Sequence, residues 1–145
     1  MKKLKFDKKF QPVAVSLGDE MYRNGIFEFN ITKLSEFLDK NQDKFLIEMV
    51  EVNGLEMFNS DNLDEKTINS ASLAKPVILA EISPYQFNVI DGNHRIKKAS
   101  RSNVTKVPAY KVYSGQHIKF LTSEQAYKAY IEYWNSKIKS LSANL

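Results

Sequence analysis

Pro76-Val77-Ile78-Leu79-Ala80-Glu81-Ile82, Ser83-Pro84-Tyr85, Gln86-Phe87-Asn88-Val89-Ile90 and Asp91-Gly92-Asn93-His94-Arg95 read in order as a buried strand, a turn, its antiparallel partner and a bend into a helix. Apart from Glu81 the first run is apolar, as a strand covered on both faces is. The helix is expected to run from Asn93 or His94 to about Ser102. A strand over 107–113 then returns, with Pro108 tolerated near its start. The result is a strand, turn, helix, strand unit.

Outward from this unit the signals are local. Gly25-Ile26-Phe27-Glu28-Phe29-Asn30-Ile31 alternates apolar and polar residues like a half-buried strand. Thr32 is placed to cap a helix with Leu34, Phe37 and Leu38 on one face, ended by Asn41. Asn53-Gly54, between Val50-Glu51-Val52 and Leu55-Glu56-Met57, predicts a hairpin, although Phe45, Met49 and Val52 also suit a helix. Residues 59–73 read as a surface loop with a short helix over 64–70. Thr122-Ser123-Glu124-Gln125 matches a capping box. Ala126, Tyr130, Trp134, Ile138 and Leu141 follow at helical spacing, a stripe that is core packing or a partner surface. The expected fold class is α/β in the α+β sense: a small mixed sheet with flanking helices and a long amphipathic C-terminal helix.

Composition narrows the functions. The 145 residues, 43% hydrophobic and 12% aromatic, suffice for a core, and the chain divides into a basic arm, 1–10, and one domain, 11–145. The absence of cysteine excludes disulfides and thiolate chemistry, and two histidines do not make a structural zinc site. No signal-peptide core follows the first lysines, and the longest apolar runs are as short as 76–80, so a cytoplasmic protein without a membrane partner is expected. Residues 1–9 hold five lysines and one aspartate, a balance equal to the +4 of the whole chain. Residues 19–66 carry twelve acids and five bases. Residues 92–123 carry seven bases, both histidines and no acid, a field that attracts a small anion beside Asp91.

The segment 91–95 has the parts of an anion-binding turn. Gly92 permits positive φ and a close backbone approach. A helix N-terminus offers unpaired N–H groups and partial positive charge. Arg95 supplies a planar fork of donors, and His94 a donor that also moves protons near neutral pH. Asp91 could hold magnesium, accept a proton from a hydroxyl nucleophile, or orient His94 or Arg95. Glu81, on the neighbouring strand, is either a second carboxylate of the same site or a solvent-facing residue. The catalytic candidates are therefore Asp91, His94 and Glu81, with Asp91 the metal candidate. The plainer alternative is a tight Asp-Gly turn, a surface histidine and a solvated arginine. No other nucleotide or hydrolase motif is present.

Val89-Ile90-Asp91-Gly92-Asn93-His94-Arg95, followed by Ala99 and Val107-Pro108-Ala109-Tyr110, resembles the ParB/sulfiredoxin-like superfamily over roughly residues 76–113. The resemblance implies a small α/β domain with phosphate contacts from Gly92, Asn93, His94 and Arg95. It also implies a nucleoside triphosphate, ATP or CTP, with Mg²⁺ as cofactor. Sulfiredoxins are similar but carry Gly-Cys-His-Arg, and Asn93 in place of the cysteine excludes sulfinic acid repair. ParB partition proteins carry Gly-Glu-Arg-Arg and a later helix-turn-helix, for which some thirty residues after Tyr113 leave little room. Asp-Gly-x-His-Arg is similar to nucleotide-using kinases and ATPases of this fold. The expected function is nucleotide or phosphorylated small-molecule binding, extending to weak NTPase or phosphotransferase activity. A non-catalytic regulatory module is the alternative. A nucleic-acid-binding or nuclease-type protein using the lysine arm and the basic stretch 95–119 is the third.

Overall fold

The computed structural model describes residues 2–25, 27–55 and 63–143. Four strands form the main sheet: β3 (Ile47–Glu51), β6 (Lys106–Val112), β4 (Val77–Ser83) and β5 (Gln86–Asp91), neighbours in that order. A strand flanked on both sides must bury both faces, and β4 is buried at every position, Glu81 included. β6 runs antiparallel to β3, with Met49 opposite Pro108, and parallel to β4, with Val77 opposite Ala109 as the first pair. Pro108 thus precedes the parallel ladder, and its missing N–H breaks no bond there. Two smaller strands, β1 (Met21–Asn24) and β2 (Phe27–Asn30), form an antiparallel hairpin. With helices beside both sheets, the fold is mixed α+β, as expected.

Contacts divide the chain into two compact units, each assembled from separate stretches. The sheet unit comprises 41–80 and 88–112. In it, α3 (Asn93–Arg101) turns Arg95, Ile96 and Ala99 inward and packs on β6 and on α2 (Glu65–Ser70). The short helix expected over 64–70 is present, and Asp64 caps it by accepting from the Thr67 amide at 3.2 Å. β3 is extended, as expected, and pairs with β6. Gly54 turns with φ +96° and Leu55 N–H donates to the Val52 carbonyl, while residues 56–62, the rest of the expected hairpin and part of the expected loop, lie outside the described residues.

The helical unit comprises 1–40, 81–87 and 113–145. α1 (Ile31–Lys40) buries Leu34 and Leu38, but its cap is Asn30, whose Oδ1 accepts from Lys33 N, while Thr32 accepts from Glu20 N. After β6 come α4 (Ser114–His117), a 3₁₀ turn (Ile118–Phe120) and α5 (Glu124–Ala143). Ser123 caps α5 through the Ala126 amide, leaving Thr122 to bond Glu28 at 2.6 Å. Ala126, Tyr130, Trp134 and Ile138 are buried, so the stripe is core; Leu141 at its end is exposed. At roughly 25 cal/mol per Å², a buried aromatic ring contributes about 4–6 kcal/mol before entropic costs. The basic arm is tied to α5 at Lys2, Leu4 and Asp7.

Candidate functional site

At the end of β5 the chain reverses through Gly92, whose φ of 108° and ψ of 18° place it in the left-handed region as the N-cap of α3. Among the described residues no side chain caps this helix, and its first turn holds no acid. The first bond closing the helix runs from Ile96 N–H to the Gly92 carbonyl at 3.0 Å. The opening amides therefore present their donors and the positive end of the dipole without a side-chain acceptor.

Gly92 adopts the expected positive φ, but the space beside it is not open. A Cβ built on it would lie 2.5 Å from Val77 Cγ1 and 2.8 Å from Arg95 Nη2. The space is filled by the protein, so glycine serves close packing and positive φ rather than approach to a ligand. Arg95, expected as a fork of donors for phosphate or, in the plainer reading, a solvated charge, is 8% exposed and folds back over the N-cap. Its Nη2 donates to Asp91 Oδ2 at 3.1 Å, one helical turn away. Its Nε is buried with no hydrogen-bond partner. Of the three roles open to Asp91, orienting Arg95 is the one this geometry displays.

Asn93 and His94 are half-buried at the start of the helix. His94 Nε2 accepts from Asp64 N–H at 3.3 Å, which requires the neutral ring with its proton on Nδ1. Two further α3 side chains hold α2: Lys98 Nζ donates to the Asn69 and Ala71 carbonyls, both at 2.8 Å, and Arg101 takes Glu65 with both terminal nitrogens. For a phosphate, the uncapped amides and the unsatisfied Arg95 Nε are a fitting donor set. For a metal ion, Asp91 offers one carboxylate already facing a guanidinium. Among the described residues no three of His, Asp and Glu gather as metal ligands.

Glu81 belongs to the helical unit, in a second polar cluster that sequence reasoning missed. Its carboxylate accepts from Tyr85 N at 3.4 Å and Ser114 N at 3.3 Å, and the residue is 6% exposed. Its carbonyl accepts from Tyr130 OH at 2.7 Å and lies 2.6 Å from His117 Nε2. A carbonyl only accepts, so Nε2 carries the proton, and the buried Nδ1 is left without a partner. Complete burial pushes His117 down to about 4, against the opposing effect of the Glu81 carbonyl. Tyr130 is pushed well above the usual phenol range by burial and then by the Glu81 carboxylate. Its ring lies edge-on to His117. The available sequence signal was a histidine beside Ile118, Phe120 and Leu121.

These features define a mixed α+β protein with a basic, uncapped turn between strand and helix. No family model, curated protein or solved structure matches the chain. No helix among the described residues is long and apolar enough to cross a membrane.

Proposed function

We propose that the protein binds a nucleotide through its phosphates at the turn between β5 and α3. The observation that carries this reading is an α3 N-terminus with no side-chain cap, overlaid by a buried guanidinium whose Nε lacks an acceptor. The buried Arg95 Nε costs about 1–3 kcal/mol while unpaired, and a phosphate that accepts from it and from the opening amides of α3 removes that cost. The resemblance of residues 76–113 to ParB/sulfiredoxin-like domains supports the same ligand. The proposal is for binding rather than turnover, because Asp91 already holds Arg95 and the His94 lone pair already accepts from Asp64.

Thermal melting with ATP, CTP and inorganic phosphate, each with and without Mg²⁺, tests it. A nucleotide at a hundred times its Kd stabilises by about 2.7 kcal/mol, or roughly 5–10 °C here. Asn93→Asp places a carboxylate in the first turn of α3, where it favours the free helix by a few tenths of a kcal/mol but repels phosphate. The variant should melt no lower than wild type and show no nucleotide shift. A wild-type protein unmoved by millimolar nucleotide and phosphate overturns the reading.

A further inference from the structure

We infer that the amino-terminal strap of the helical unit is a docking surface for the phosphate backbone of duplex nucleic acid. The strap runs back along α5. Lys2 O accepts from Trp134 Nε1, Leu4 exchanges two backbone bonds with the Asn135 amide at 2.8 and 2.9 Å, and Asp7 N–H donates to Tyr127 OH. Phe10 stacks on Tyr127 with centroids 4.0 Å apart, and Phe6 lies 5.3 Å from the same ring. Ordering a backbone costs about 1–2 kcal/mol per residue. A tail whose only task is solubility needs no such anchors.

What the anchors achieve is to hold lysines outward. Lys2, Lys3, Lys5, Lys8 and Lys9 are all exposed, and among the described residues none of them pairs with a carboxylate. Lys128 lies beside them, its Nζ 5.3 Å from the Phe6 ring centre and 3.8 Å from Glu124 Oε1, so unlike the five it is already paired. The helix segment bearing the anchors, 127–135, spans about 12 Å at 1.5 Å per residue. Duplex DNA carries one charge per about 1.7 Å of axis, so five exposed lysines tethered along this length are matched in number to several phosphates. Charge complementarity to a regular polyanion thus identifies the partner class. A membrane surface is disfavoured because Phe10 is stacked on Tyr127 and Phe6, 39% exposed, leans on the same ring, which leaves the lysines a single partly exposed ring rather than an apolar face to insert. The stacking of Phe10 on Tyr127 also takes two of the three strap rings away from single-stranded bases, which need a series of free aromatic faces.

Fluorescence anisotropy with a labelled 20-base-pair duplex tests the inference, using the full chain and comparing two unrelated sequences. Affinity should be sequence-independent. It should fall with salt at a log–log slope of about −3 to −4.5, a loss on the order of 10² to 10³ between 50 and 200 mM. Replacing the five strap lysines with glutamine alters only exposed side chains and should abolish binding with the melting temperature held. Asn135→Ala keeps every charge but frees Leu4, and should weaken binding several-fold in a protein whose circular dichroism is unchanged. The inference is overturned by a wild-type chain that does not bind at 50 mM salt, or by a glutamine variant that binds as wild type. An Asn135→Ala variant with full affinity, or tighter binding to polyglutamate or anionic vesicles than to duplex, overturns it too.

Discussion

Asp91 and Glu81 sit on adjoining strands of one hairpin, yet their surroundings differ in kind. Asp91, at the end of β5, faces a full charge, and its partner Arg95 keeps one donor unmet. Glu81, within β4, is bonded by two backbone amides, and its own carbonyl takes a tyrosine and a histidine. One arrangement leaves binding capacity over. The other spends its donors on closing the core, apart from the His117 Nδ1 lone pair. A buried carboxylate is therefore not in itself the mark of a reactive site; what distinguishes the two is whether neighbouring donors still lack acceptors.

The strongest way to break this contrast is Arg95→Ala. Removing one partner strands the Asp91 carboxylate in a nearly enclosed position, and urea unfolding should show a loss of about 3–5 kcal/mol. Pairing it with Asp91→Asn should restore a large part of that loss. A cost below about 1 kcal/mol for the single variant would place the pair with exposed ion pairs instead.

The next effect is acid sensitivity from the helical unit. His117 titrates near 4 in the folded chain against 6.5 for the free side chain, so the unfolded chain binds the extra proton between those values. The histidine contribution should be fully present above pH 6.5 and decline as pH falls towards 4. At 1.36 kcal/mol per unit it totals about 3 kcal/mol. Urea midpoints measured across this window should follow that slope in wild type and lose most of it in His117→Gln. The smallest effect is Tyr130→Phe, which removes one of two donors to the Glu81 carbonyl. It should cost about 1 kcal/mol, because His117 remains. A cost of several kcal/mol would mean that the tyrosine alone closes the cluster.

Residues 86–101 were legible from sequence because every signal there is local: alternation in β5, Asp-Gly at the bend and a helical period after it. The same holds for α2, announced by Asp64, and for the buried stripe of α5. Non-local pairing was not legible. The extended β3 was read from residues around Asn53-Gly54, but nothing near it announced its ladder with β6, more than fifty residues on. Thr32 and Asn30 are both good caps, and only the long-range bond from Glu20 to Thr32 decides between them. Glu81 read either as a second carboxylate beside Asp91 or as solvent-facing, because a lone charge in an apolar run has no visible partner. Apart from the Tyr85 amide, its partners, Ser114, His117 and Tyr130, lie 33 to 49 positions away. At the candidate site the residue types were right and their allegiances were not. Nothing local reveals that Arg95 turns back on its own helix or that Val77 fills the hollow beside Gly92.

The α2 helix has six residues, too few to persist in water on its own. It borrows its fixings from α3, with His94 at Asp64, Arg101 at Glu65 and Lys98 on the closing carbonyls. Its order is thus on loan from the neighbour that also frames the turn. Any ligand that recruits the His94 ring takes an acceptor from the backbone at Asp64, so occupancy at one end of α3 is transmitted, through a single imidazole, to how firmly the adjoining helix is seated.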